Sequence, residues 1–279
     1  MEYKLKRIKR RRVIPGFPLS MGITLAMVSM IVLIPMASII ICASDLSLQE
    51  FIQIVTAKDV VSGYVVSFSC ALIAAIINCI FGVILAWVLV RYEFPGKRFL
   101  DGLIELPFAL PTAVAGISLT ALYSDQGWIG GIFAKFGIKI AYTKVGITIA
   151  MIFIGIPFVV RAIQPVLEKF DPQYEEAAAM LGANGSRTFL RVIFPEILPA
   201  MLTGFGLALA RGIGEYGSVV FIAGNIPYKT QIAPLLIMSK LEQLKYTDAT
   251  AIALVMLVVS FLILLLLNII QVHATKRTT

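Results

Sequence analysis

Arg211 and Glu215 are the residues of this sequence best placed to do charge chemistry. They stand four apart, so on a helix they share a face and neutralise each other. The surrounding stretch, 197–223, has no other acidic or basic side chain. A lone charge at that depth in a bilayer costs a few kcal/mol or more. Two readings stay open: an ion pair facing the bundle, and a pathway or gate element. Residues 212–217 also spell G-x-G-x-x-G. A dinucleotide loop of that spelling must follow a strand and open a helix. This one sits in the middle of an apolar span, so its glycines read as sites of close helix contact or bending. The sequence holds no H-E-x-x-H, no cysteine–histidine cluster and no G-x-x-x-x-G-K-[ST]. No catalytic residue and no metal ligand is therefore assigned, and the chain reads as non-enzymatic. Cys42, Cys70 and Cys79 lie in or beside apolar stretches and read as small hydrophobes.

A second candidate is L-P-F-A-L-P-T-A-V-A-G-I-S-L-T, from residue 106. Pro107 and Pro111 each remove a backbone donor and loosen a helix. The carbonyls they free must face protein or a water-filled cavity. Thr112, Ser118 and Thr120 add uncharged hydroxyls, which suit the weak, transient contacts of a passing oxyanion. A kinked packing helix explains the same residues.

The third is the polar stretch 171–195. Asp171 before Pro172 is a helix start, and Gly182 a helix stop. Between them Tyr174, Ala178 and Leu181 share a face, with Gln173, Glu175 and Glu176 on the others. The spacing predicts a helix of about two to three turns, too short to be stable alone in water. It needs a surface to lie on, either its own protein or another. A second helix is predicted to begin at Ser186 and run into the membrane past Pro195.

These segments are positioned by a membrane protein. The chain of 279 residues is 59% hydrophobic and 14% charged, against about 25% charged in soluble domains. Six spans of helical length are expected at 17–43, 63–90, 106–124, 145–160, 197–223 and 249–272. The first is too long for a cleavable signal and reads as retained. With the N-terminus inside, sixteen lysines and arginines fall inside and seven outside. This predicts both termini, and 171–195, on the cytoplasmic side. The run from Lys4 to Arg12 in the basic tail 1–16 reads as an inside anchor on membrane lipid, not as a nucleic-acid site. Residues 273–279 form the other tail, with His273 at the membrane exit.

Glu176-Ala177-Ala178, three residues, Gly182, nine residues, then Val192-Ile193-Phe194-Pro195 resembles the EAA loop of ABC-importer permeases, E-A-A-x3-G-x9-I-x-L-P. Val192 and Phe194 depart from it, apolar for apolar. R-R-V-I-P-G-F, R-Y-E-F-P-G-K, L-P-F-A-L-P-T-A-V-A-G, I-P-F-V-V-R-A-I-Q-P-V-L and G-E-Y-G-S-V-V-F-I-A-G-N-I-P extend the likeness over almost the whole chain. Together they are similar to the permeases of bacterial sulfate/thiosulfate ABC importers, subunit T. Molybdate (and tungstate) permeases are close relatives. An ion-coupled secondary anion transporter is the other alternative, disfavoured by the lack of a clear repeat.

The resemblance implies an all-α, six-span type I importer permease fold, with the permease domain over 60–272. It implies a bacterial inner membrane, or a plastid envelope. The implied partners are a second homologous permease of the subunit W type, two ATPase subunits and an external sulfate-binding protein. ATP and Mg2+ would be used by the ATPase, and this chain would need no cofactor. The loop 171–195 would supply the coupling helix. Tyr174, Glu175, Glu176, Ala177, Ala178, Leu181 and Gly182 would then meet the ATPase, with Glu176 fixing the loop by hydrogen bonding.

Overall fold

The computed structural model describes residues 17–275. The basic run from Lys4 to Arg12 and the last residues, Lys276 and Arg277 among them, lie outside this range. The described chain is helical, with no strand among the described residues. The helices are α1 (Phe17–Ser44), α2 (Leu48–Val55), α3 (Lys58–Arg91), α4 (Lys97–Ala109), α5 (Thr112–Tyr123) and α6 (Gly130–Ala134). Then come α7 (Lys144–Lys169), α8 (Gln173–Met180), α9 (Gly185–Ile213), α10 (Val219–Ile222), α11 (Ala233–Glu242) and α12 (Tyr246–Thr275).

Five of these, α1, α3, α7, α9 and α12, are long and apolar enough to cross a membrane, and α4 with α5, bent by 115°, forms either a sixth, broken span or a re-entrant loop. The expected span 145–160 is longer than its apolar run suggested. It continues through Pro157 and Pro165 to Lys169.

Two expected spans are corrected. The stretch 106–124 is not one helix. It is cut at Leu110 and Pro111, and the axes of α4 and α5 differ by 115°. Pro111 cannot donate to the turn before it, and the residue before a proline is pushed out of the helical region. Leu110 is accordingly extended, with ψ 136°. The stretch 197–223 is also not one helix. The span starts twelve residues earlier, at Gly185, and ends at Ile213. A bend over 214–218 separates it from the single turn of α10. The glycines of 212–217 therefore mark the end of a span, not its middle.

The core is the mutual packing of α3, α7 and α9. It is built at backbone distance. A Cβ on Gly204 of α9 would lie 2.7 Å from Val159 Cα on α7. One on Gly155 of α7 would lie 2.3 Å from the side chain of Asn78 on α3. Ala71, Ala74 and Ala75 of α3 are buried in the same core. Close approach through small residues is how membrane helices gain packing energy, because lipid tails offer no hydrophobic penalty for separation. Asn78 is 1% exposed, and its amide has no hydrogen-bond partner among the described residues.

α11 and α12 pack on each other, α12 on α9, and α1 against α12. α1 carries a π-turn over Ser29–Leu33, before Pro35, and almost all of it faces outward. The short α2, which packs on α12 and α3, opens with a reciprocal capping box, Ser47 with Glu50.

The α7–α9 contact gives a direct test. Gly204→Leu forces a side chain into Val159, with an overpacking cost of about 1–3 kcal/mol. The expected outcome is a lower unfolding temperature in detergent with unchanged membrane insertion. An unchanged melting temperature would show that these helices do not meet at Gly204.

Candidate functional site: a projecting helix and two facing helix breaks

α8 is the first part of the site. The Asp171 carboxylate accepts from the Gln173 N–H at 2.9 Å, so the expected start is formed at the side-chain level. The helix ends with the Gly182 N–H on Ala179 O at 2.9 Å and the Ala183 N–H on Ala178 O at 3.0 Å. That is a Schellman closure. It needs a left-handed residue, and Gly182 has φ +79°. Asn184 then caps α9 through the Arg187 N–H. The helix predicted from Ser186 thus begins one residue earlier and passes through a π-turn, Phe189–Ile193, before Pro195.

No residue of α8 is buried. Met180 and Leu181 are each 89% exposed, and Tyr174 63%. Ala177 is exposed and Ala178 partly covered. α8 is nevertheless held. The Arg91 guanidinium, at the end of α3, forms an ion pair with Glu175. Arg91 also lies 5.2 Å from the Trp87 ring centre and 6.0 Å from that of Phe170. Phe170 in turn packs on Tyr174 at 5.8 Å. A guanidinium sandwiched by rings and paired with a carboxylate is a directional tether. The residue that fixes the loop is therefore Glu175. Glu176 is exposed and has no side-chain partner among the described residues. Nothing in the sequence connects Arg91 with Glu175, 84 residues away; Arg91 registered only as one more inside-facing charge.

The second part is where the two helix breaks face each other. α5 packs on α10. A Cβ on Gly116 would lie 2.4 Å from Ser218 O, and one on Gly217 would lie 2.2 Å from the Thr112 hydroxyl. The breaks are thus in close contact. Pro107 is buried, whereas Pro111 and Ser118 are exposed and Thr112 is partly exposed.

Glu215 lies in the bend and not within a helix. It is 1% exposed. One carboxylate oxygen accepts from the Ser218 N–H at 2.8 Å and the Ser218 hydroxyl at 3.0 Å. The other meets Arg211 Nη1 at 2.5 Å. The expected pair is thus formed, and Glu215 also ties down the start of α10. The Arg211 side chain keeps 36% of its surface exposed. It is the charged group of the pair that is open, whereas Glu215 is buried.

A third cluster escaped sequence reading. Arg161 on α7 reaches Asp101 at 2.8 Å and Glu105 at 2.7 Å, both on α4. It clamps α4 to the core helix α7. No group of histidine, cysteine, aspartate and glutamate that could hold a metal is found among the described residues.

Against known proteins, residues 78–279 match the family model described as binding-protein-dependent transport system inner membrane component. The chain is 53% identical over 249 residues to the probable sulfate transport system permease protein cysT of Chlorokybus atmophyticus, covering 89% of this chain and 87% of that protein. It is 46% identical over 270 residues to the sulfate transport system permease protein CysT of Salmonella typhimurium, covering 97% and 98%. Its fold is similar to a chain in the crystal structure of a bacterial alginate ABC transporter in complex with an alginate pentasaccharide-bound periplasmic protein. The TM-score is 0.76 at 16% identity, over 95% of this chain and 96% of that one. The fold is therefore the all-α, multi-span permease fold of ABC importers. This chain is a multi-pass membrane protein and belongs to the family of inner membrane components of binding-protein-dependent transport systems.

Proposed function

We propose that this chain is the sulfate permease subunit of an ATP-driven, binding-protein-dependent importer, and that α8 is the lever through which a separate ATPase works it. The chain is the non-catalytic membrane subunit. It forms half of the pathway, opposite a second homologous permease of the subunit W type. Two ATPase subunits use ATP and Mg2+ on the cytoplasmic side, and an external sulfate-binding protein delivers the anion. Both termini and α8 are then cytoplasmic, in a bacterial inner membrane.

The observation that carries the reading is the way α8 is mounted. It joins α7 to α9 in sequence and is ion-paired to α3 through Arg91. Those three helices are the core. A push on α8 is therefore delivered to the whole tightly packed unit, while its outer face, with Tyr174, Ala177, Met180 and Leu181, stays free for a partner. Exposed apolar side chains on a polar loop are the usual sign of a docking surface. Closure of the ATPases on ATP brings the two levers together and turns the bundles outward, and hydrolysis returns them.

For the anion, Arg211 and the hydroxyls of Thr112 and Ser118 are the pathway or gate candidates, beside Pro107 and Pro111. Glu215 holds Arg211 in place and offsets its charge, so a dianion meets a weakened attraction and can leave again.

Cells lacking this chain are expected to lose uptake of radiolabelled sulfate and to regain it on complementation. Undiminished uptake, or uptake abolished by molybdate at equal concentration, would count against a sulfate pathway. Gly182→Val should leave the protein inserted but cut ATPase co-purification and uptake at least about tenfold. A β-branched residue at φ +79° costs roughly 1–2 kcal/mol and misdirects the α8 exit. Arg91→Glu and Glu175→Arg should each impair sulfate-dependent ATP hydrolysis. The double swap should recover a substantial part, because the pair is restored with its sense reversed. A double variant no better than either single one would mean that the tether is not what transmits the push.

A further inference from the structure

The connection between α5 and α7 does not stand clear of the bundle. The Gly127 N–H donates to Ser124 O at 2.8 Å and the Ile129 N–H to Leu122 O at 3.2 Å. A Cβ on Gly127 would lie 2.2 Å from Ala121 O, and one on Gly130 would lie 2.0 Å from Ser124 O. The chain therefore folds straight back onto the last turn of α5. At its far end the Ala141 N–H, just before α7, donates to Tyr123 O at 3.4 Å. The level of that turn follows from α3. Cys70 Sγ on α3 lies 3.8 Å from the carbonyl of Lys144, the first residue of α7. From Cys70 to its end at Arg91, α3 covers about 32 Å. A hydrocarbon core is about 30 Å thick. With Arg91 at the membrane boundary nearer α8, the folded-back segment lies at the opposite boundary.

The side chains of this segment suit that depth. Helical turns run through it, from the Gly131 N–H on Gly127 O at 2.8 Å to the Gly137 N–H on Ala134 O at 3.0 Å. Trp128, Ile132 and Phe136 recur at every fourth residue and so share a side. They are 88%, 57% and 78% exposed. Lys135 and Lys139 are exposed next to them, and Lys139 pairs with Asp125 at 3.5 Å. We propose that residues 127–139 are an interfacial anchor, with Trp128, Ile132 and Phe136 seated among the glycerols and upper acyl chains of the leaflet remote from α8. The amphipathic indole ring is at home in that layer. The lysine stems cover apolar surface while their ammonium groups reach the lipid phosphates. The depth favours lipid over a water-borne protein, which would meet the chain above this layer. The anchor also sets the position of α5. That helix has 12 residues, about 18 Å, and is cut from α4 at Pro111. It cannot take its depth from a spanning length of its own, so lipid contact at its far end fixes it.

The test uses the full-length protein, purified with the subunits that stay with it, in bilayers of phosphatidylcholine brominated at chosen chain positions. The sequence has 2 tryptophans, Trp87 and Trp128, so Trp87→Phe leaves Trp128 as the reporter. Bromines near the glycerol should quench its fluorescence at least about twofold more than bromines near the chain ends. Adding Ile132→Asp/Phe136→Asp should cut that quenching at least about threefold and raise quenching by aqueous iodide, because the segment leaves the lipid. Should Trp87→Phe fail to insert, the difference between the unaltered protein and Trp128→Leu gives the same reading. Quenching of Trp128 by iodide alone would overturn the proposal and leave the segment in water, open to an external protein. Quenching by neither reagent would also overturn it, since protein would then be the cover. So would lipid quenching that survives both aspartates.

Discussion

Backbone contact between α3, α7 and α9 is the condition on which the rest of this bundle rests. Gly204, Gly155 and the buried alanines of α3 let the three helices touch at distances no larger side chain would allow. In lipid, that contact has to supply the packing energy which water would supply for a soluble core. It also makes the three helices move as one body, because close-packed interiors are not continuously deformable. The peripheral helix α1 is added to this unit through α12, which packs on α9.

The two helix breaks are affordable only because of that rigid unit. A chain that leaves helical geometry at membrane depth exposes polar backbone, and hydrocarbon cannot satisfy it. Here the two breaks face one another, with Gly116 and Gly217 in contact with the opposite strand of chain. Glu215 serves the bend as a cap through Ser218 and as a counter-charge for Arg211. A carboxylate in such a place is structural and electrostatic at once, so the two readings of the Arg211–Glu215 pair do not exclude each other.

How much of this was legible in the sequence depends on the range of the interaction. Features set within a few residues were readable: Asp171 at the start of α8, Gly182 at its end, and the hydropathy of the long spans. The pairing of Arg211 with Glu215 was readable too, but its setting was not, since apolar composition continues across the bend and hides the end of α9. The break at Pro111 was signalled as a loosened helix, yet the 115° turn depends on α10 being there to receive α5. Arg91 with Glu175, and Arg161 with Asp101 and Glu105, join residues tens of positions apart. No local pattern encodes such pairs. The family likeness pointed to Glu176, and the geometry instead gives the tether to its neighbour.

The bare outer face of α8 has a consequence for the life of the subunit before it is assembled. Met180 and Leu181, at the end of a helix of eight residues, are each 89% exposed. A copy whose proposed lever has no partner therefore displays a small adhesive tip of the sort that chaperones and proteases recognise.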